Sequence, residues 1–152
     1  MFRAPVSIYR TLAFAEAVSW TLLIGGLIIR GVGGPAVAVT IGGGIHGFVF
    51  LAYAATALLV ALNNRWSVGV GVLAVGAAVV PYATIPVEMW LRRSGRLAGA
   101  WRLEATDDPR DARPIDRLLR WFLRRAALLI TLLVVGVVAL YVVLLIVGPP
   151  GR

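Results

Sequence analysis

Three ionisable residues stand inside or at the edge of long apolar runs: Glu16, His46 and Glu88. A carboxyl or an imidazole is the kind of group that carries a proton, holds a cation or grips a polar ligand. At bilayer depth such groups cost about 2.5–3.5 kcal/mol, so they face other helices and have a partner or a task. Glu16 lies six residues past Arg10, which is about 240° around a helix, so Ser19 and Trp20 share its face and Arg10 does not. With no cation in register, Glu16 is expected to be neutral or bonded to another span, either as an interhelical clasp or as a proton- or ligand-binding carboxyl. His46 sits in Gly42-Gly43-Gly44-Ile45-His46-Gly47, with Phe50 and Tyr53 one and two turns on. Gly43 and Gly47 form a GxxxG pair of the kind that lets backbones approach, so His46 is expected to face a helix. It reads as a packed, hydrogen-bonded histidine or as a proton site. Glu88, with Thr84 one turn before it and Arg92 one turn after, reads as an interfacial ion pair, worth only about 0–1 kcal/mol if exposed.

No catalytic or metal constellation accompanies these residues. Nucleophilic triads, HExxH and P-loop spacings are lacking. The absence of cysteine removes thiol chemistry and Cys-type metal sites. A single histidine cannot provide bis-His haem ligation within one chain, and Met1 and Met89 are poor second ligands. The expectation is therefore no enzyme, no metal and no cofactor.

The elements that must position these groups are apolar. Of 152 residues, 60% are hydrophobic and 14% are charged, too greasy for a soluble domain. Four stretches approach the roughly 20 residues a spanning helix needs: about Ile8–Ile29, Val37–Leu62, Trp66–Trp90 and Ala126–Val147. Trp66 and Trp90 suit aromatic belts at opposite interfaces. Pro81 and Pro86 predict a kink or an early helix end within the third stretch. Gly31 to Pro35 and Asn63 to Arg65 read as short turns, so the first three stretches should form a compact antiparallel three-helix unit. A signal peptide is not expected at the start, because Glu16 interrupts a run that is too long for one.

The chain carries 15 arginines, no lysine and seven acids, and ten of the arginines fall between Arg92 and Arg125. They lack the interleaved stacking aromatics of a nucleic-acid surface, and their place beside apolar spans predicts contact with anionic lipid. Arg92, Arg93, Arg117, Arg120, Arg124 and Arg125 are the expected headgroup contacts. Glu104 to Arg113 reads as a loop. After Pro114, Ile115, Leu118, Leu119, Phe122 and Leu123 recur at helical spacing with arginines between them, an interfacial amphipathic helix. With four crossings, positive-inside counting puts this connection in the cytoplasm and both termini outside, a placement that reverses if one stretch is re-entrant.

The order Glu16, Ser19-Trp20, His46-Gly47, Phe50, Tyr53, Arg65-Trp66-Ser67, Pro81-Tyr82, Thr84 and Glu88 resembles the YdzA-like bacterial integral membrane proteins, a domain-of-unknown-function family of about three spans, over residues 6–91. The resemblance implies a small inner-membrane protein and brings no role for any residue. Taken together, the expected fold is all-α: a polytopic membrane bundle with a three-helix core over 1–91, an Arg-rich cytoplasmic connection over 92–125, and a C-terminal transmembrane helix over 126–152. The expected function is a non-enzymatic accessory or scaffold component with a buried Glu/His site, in contact with a membrane-protein partner or a second copy. A proton-coupled carrier of a small solute or lipid, acting as an oligomer, and a quinone- or lipid-binding membrane enzyme component stand as alternatives.

Overall fold

The computed structural model describes residues 4–147. Met1, named above, lies outside the described residues. The described chain is all-helical, with three helices long and apolar enough to cross a membrane: α1 (Pro5–Gly31), α2 (Val37–Asn63) and α6 (Ala126–Val147). Between α2 and α6 lie α3 (Val68–Gly76), a 3-10 turn at Ala77–Val79, α4 (Thr84–Arg93), a second 3-10 turn at Pro109–Ala112, and α5 (Pro114–Arg124). The expected helical bundle is present, and the fourth apolar stretch forms the helix its lack of charge predicts.

α1 and α2 each have 27 residues, about 40 Å of helix. They pack antiparallel through a turn closed by Gly33, whose φ of 87° is the left-handed conformation that glycine takes freely. Their backbones touch at two glycines. A Cβ on Gly26 would fall 2.6 Å from the Ala38 carbonyl oxygen, and one on Gly42 would fall 2.6 Å from that of Leu22. This corrects the expectation of a seam at Gly43 and Gly47. Gly43 meets only the tip of Leu23, while Gly47 faces the ring of Tyr141 on α6. The GxxxG register is one residue away from the backbone contact, and a shift of about 100° around a helix suffices to exchange faces.

The third apolar stretch departs furthest from expectation. Pro81 and Tyr82 make a sharp turn, with Tyr82 at φ 64°, and α3 and α4 fold back on each other as a helical hairpin. Its two ends meet: Trp66 Nε1 donates to the Arg96 carbonyl at 2.8 Å, and the Arg96 guanidinium lies 4.6 Å over the Trp90 ring. Both tryptophans therefore mark one end of the bundle, not two interfaces. The hairpin tip reaches Trp20 and Thr21 of α1, through Trp20 Nε1 to Ala78 O at 3.2 Å and Thr21 Oγ1 to Tyr82 Oη at 3.3 Å. The nine residues of α3 and three of the 3-10 turn rise only about 19 Å, short of a roughly 30 Å hydrocarbon core. The proline that predicts an interruption here reverses the chain instead of bending a span.

The hairpin fills the groove between α1 and α2. Its core is made of small residues, Ala13, Ala57, Ala74 and Ala78, closed by Tyr9, Tyr53, Val60, Leu91 and Leu97, all nearly or completely buried. α6 then rests on α2 and α5: Tyr141 Oη donates to Gly44 O at 3.0 Å, and Leu129 packs with Leu119 and Leu123 of α5. With three long helices, the start of α1 and the end of α6 lie at opposite ends of the bundle. The expectation of both termini on one side rests on four spanning stretches, and the described residues hold three helices of spanning length.

Candidate functional site

Two polar assemblies are built on this frame. The first is a seam in the middle of the bundle. Glu16 is eleven residues into α1 and wholly buried, about 16 Å from the start of a helix about 40 Å long. Its Oε2 accepts from Thr84 Oγ1 at 3.2 Å, and the same hydroxyl lies 3.0 Å from the Ala13 carbonyl oxygen. Oε1 has no hydrogen-bond partner; the nearest cationic candidate is His46 Nδ1 at 4.0 Å. Ser19 Oγ donates to the Glu16 carbonyl at 2.7 Å and also contacts His46 Nδ1 at 2.9 Å. Since the serine hydroxyl carries one hydrogen, this pattern assigns a proton to Nδ1, which donates to Ser19 and leaves Nε2 as the bare nitrogen. Trp20 stands against the imidazole, with ring centroids 4.3 Å apart, and Phe50 closes the other side at 6.2 Å.

One layer nearer the end that carries Trp66 and Trp90, Tyr53 Oη donates to Ala74 O at 2.8 Å and contacts Tyr9 Oη at 2.7 Å. These bonds stitch α1, α2 and α3 together, and Thr84 adds α4. The Ala78 carbonyl meets Pro81 three residues on, which has no N–H to offer, so Trp20 satisfies it from outside the hairpin. Glu88 approaches Arg92 at 3.5 Å, as its spacing predicts, but its side chain is only 2% exposed, so the pair is half buried and not surface decoration.

All six polar candidates read from the sequence thus share one neighbourhood. Glu16, Ser19, His46 and Thr84 form its centre, Tyr53 the adjacent layer, and Glu88 lies one turn beyond Thr84 on α4. Pro81 belongs to the hairpin tip and not to a packed span.

The second assembly was not foreseen. The connection after α4 folds over the end of α2 as an ionic cap centred on Asp111. One oxygen of this carboxylate accepts from Arg65 at 2.5 Å, Arg120 at 2.8 Å and Arg102 at 3.3 Å, and the other accepts from Thr106 N and Oγ1 at 2.8 and 2.7 Å. Asp116 holds Arg102 at 2.6 Å, and Asp108 holds Arg65 and Arg110. Asn63 and Arg102 lock this layer to the end of α2, through Arg102 Nε to Asn63 O at 2.5 Å. Hydrogen bonds from Thr106 lower Asp111 to about 2, with Arg65 and Arg120 adding to the effect. Arg110 holds Asp108 well below the usual carboxylate range.

The cap corrects two expectations. Arg120 is 8% exposed and turned into the cluster, so it is not free for lipid. Arg65 lies on the same side as the Arg-rich connection, where it was expected opposite. Of the other headgroup candidates, Arg124 donates to Leu103 O and Arg125 stacks on Trp121 at 4.2 Å, while Arg93 and Arg117 are exposed. Arg65, Arg102, Asp108, Asp111 and Asp116 had no place among the sequence candidates. A signal for them existed: five of the seven acids fall between 104 and 116, inside the arginine-rich stretch. Such local compensation means internal pairing.

The hairpin, the Glu16–His46 pair and Thr84 all fall within the segment matched by a family model for a domain of unknown function (DUF3817), residues 6–93. The chain belongs to this family. A membrane protein of Streptomyces coelicolor is 36% identical over 88 residues, which are 57% of this chain and 10% of that protein. The match thus spans about a tenth of that relative's length, and the cap and α6 lie beyond the family segment. No solved structure matches the chain. This DUF3817 chain is a membrane protein whose family carries no assigned activity.

Proposed function

We propose that the chain is a non-enzymatic accessory component of a bacterial plasma membrane, in which α1–α4 form a self-contained module and α6 adds a span for contact with another membrane protein or a second copy. The observation that carries this reading is the inward closure of the seam. Glu16 is fully buried, and its neighbours bond across helices, as groups that hold a bundle together do. Two facts support it. The S. coelicolor relative has its matched segment within a much longer membrane protein, where it is joined to further chain. α6 has 22 uncharged residues, of which Leu129 alone is buried, so most of its surface is available.

Three crossings also change the orientation. Among the described residues, all arginines except Arg30 belong to the end that carries the cap. We therefore place that end, with the start of α1, in the cytoplasm and the end of α6 outside. The cysteine-free sequence makes this easy to test. An impermeant maleimide applied to intact cells should label Val32→Cys and spare Ala105→Cys; the opposite pattern overturns the orientation.

For the accessory role, crosslinking in the membrane followed by mild-detergent purification should yield a stoichiometric membrane companion or a second copy. A lone monomer with neither companion nor specific lipid overturns it. One atom favours a second reading, a proton-coupled carrier: Glu16 Oε1 is buried, unpartnered and 4.0 Å from His46. In reconstituted vesicles that reading requires pH-dependent flux that Glu16→Gln abolishes. Flux unchanged by the substitution, or absent from the parent, ends it.

A further inference from the structure

Between the end of α2 and the start of α5, a cavity of about 230 Å³ opens beside the ionic cap, lined by Arg65, Arg110, Arg113 and Asp116 on one side and by Ile115 and Leu119 on the other. Its charge is unbalanced. Arg65, Arg102, Arg110 and Arg120 pair with Asp108, Asp111 and Asp116, four cations on three carboxylates. Arg113 adds a fifth cation and forms no ion pair among the described residues, although Glu104 and Asp107 are near in sequence. Arg110 grips Asp108 through Nε and Nη2, which leaves Nη1 unengaged. The cap thus carries two positive charges in excess beside a pocket whose uncharged lining is apolar, from Trp66 and the aliphatic side chains of Leu62, Ile115 and Leu119.

The apolar wall continues outward. Ile115, Leu118 and Trp121 form an exposed ridge along α5, 54%, 56% and 43% accessible, while Leu119 and Leu123 on the opposite side hold the helix to the cap and α6. A helix at the end of a membrane bundle with such a ridge lies in the interface, ridge toward the acyl chains. That places the cavity mouth at headgroup level.

We propose that this cavity binds a phosphate group, and that the aliphatic wall selects the phosphodiester of an anionic phospholipid over the free ion. Arg113 and the free edge of Arg110 supply charge-assisted hydrogen bonds to the phosphate oxygens, and Ile115 and Leu119 receive the adjoining carbons. The site goes beyond the accessory role and does not depend on it, since it concerns one cavity and not the partner of α6.

The test uses the full chain in mild detergent, with short-chain phosphatidylglycerol, short-chain phosphatidylcholine and sodium phosphate as probes, read by native mass spectrometry and thermal unfolding. Phosphatidylglycerol should remain bound and raise the unfolding midpoint well above the effect of phosphatidylcholine. Arg113→Gln, which breaks no contact within the chain, should weaken phosphatidylglycerol binding about tenfold. Arg30→Gln removes the same charge at the far end of the bundle, away from the cavity, and should leave binding unchanged. Equal binding of both lipids, or equal loss in the two variants, overturns the proposal and leaves only diffuse surface attraction. Sodium phosphate that matches phosphatidylglycerol keeps the phosphate site and overturns the lipid as its source.

Discussion

The seam around Glu16 and the cap around Asp111 both hold elements together through buried polar groups, yet they are made differently. The seam uses single contacts between hydroxyls, one imidazole, one carboxyl and backbone carbonyls, each contact joining two helices. The cap places three guanidinium groups on one carboxylate. Solvent explains the contrast. Where hydrocarbon surrounds a bundle, an ion that loses its shell is hard to compensate, and shared hydrogens are the inexpensive way to join helices. At the edge of the membrane, water relieves part of the desolvation cost, and full charges can be gathered into a network. A connection that reads as a solvated loop thereby becomes ordered structure.

The most disruptive way to test the seam is mechanical. Gly42→Leu drives a side chain into the Leu22 carbonyl and should separate Ser19 from His46. Overpacking costs about 1–3 kcal/mol where side chains can yield, and here the obstacle is backbone, so the loss should reach the top of that range. Thermal unfolding in detergent measures it, and Gly43→Leu is the control expected to do much less. Next, Asp111→Ala should melt the cap and spare the seam. Hydrogen exchange should accelerate across residues 102–124 and remain slow in α1 and α2; uniform acceleration would mean that the two assemblies form one cooperative unit.

The cap can also be loosened without mutation. Asp111 is lowered to about 2 from an ordinary 3.8, and Asp108 is lowered as well. Their contribution is therefore complete above about pH 5 and lost as pH falls through the range 4 to 2. Exchange across 102–124 should rise in that window, ahead of any change at the seam. The smallest effect is expected at the seam's periphery. Tyr9→Phe removes one hydrogen donated to Tyr53 and leaves the Tyr53–Ala74 bond, so it should cost about 0.5–1.5 kcal/mol in the same unfolding measurement. A much larger loss would show the two tyrosines to be a coupled network.

How much of this was legible in the sequence depends on the range of the signal. Glu16 and Ser19 could be paired because three residues on a helix share a face. The link from Ser19 to His46 spans 27 positions, and no periodicity carries it. Pro81 marked where the helix ends early but not what the chain does next. A proline states that a helical hydrogen bond is missing but not whether the chain bends or returns, which depends on whether Trp20 and Tyr53 stand ready for the hairpin's carbonyls and Ala13 and Glu16 for its Thr84 hydroxyl. Gly43 and Gly47 matched a packing motif, yet the backbones meet at Gly26 and Gly42, because the face a helix turns inward is chosen by its neighbours.

By itself the sequence determined the solvent and the helices. A chain 60% hydrophobic, with charge gathered in one stretch, must bury its backbone bonds in helices and rest in a bilayer. Only the tertiary structure decided that the third stretch returns to its starting side, that Arg65 and Arg120 belong to a cap and not to lipid, and that Glu16 meets Thr84 and His46. Hydropathy and helical period are properties of neighbouring residues, whereas the contacts of His46, Arg65 and Thr84 join residues 27 to 68 positions apart, and their pairing exists only once the helices have packed.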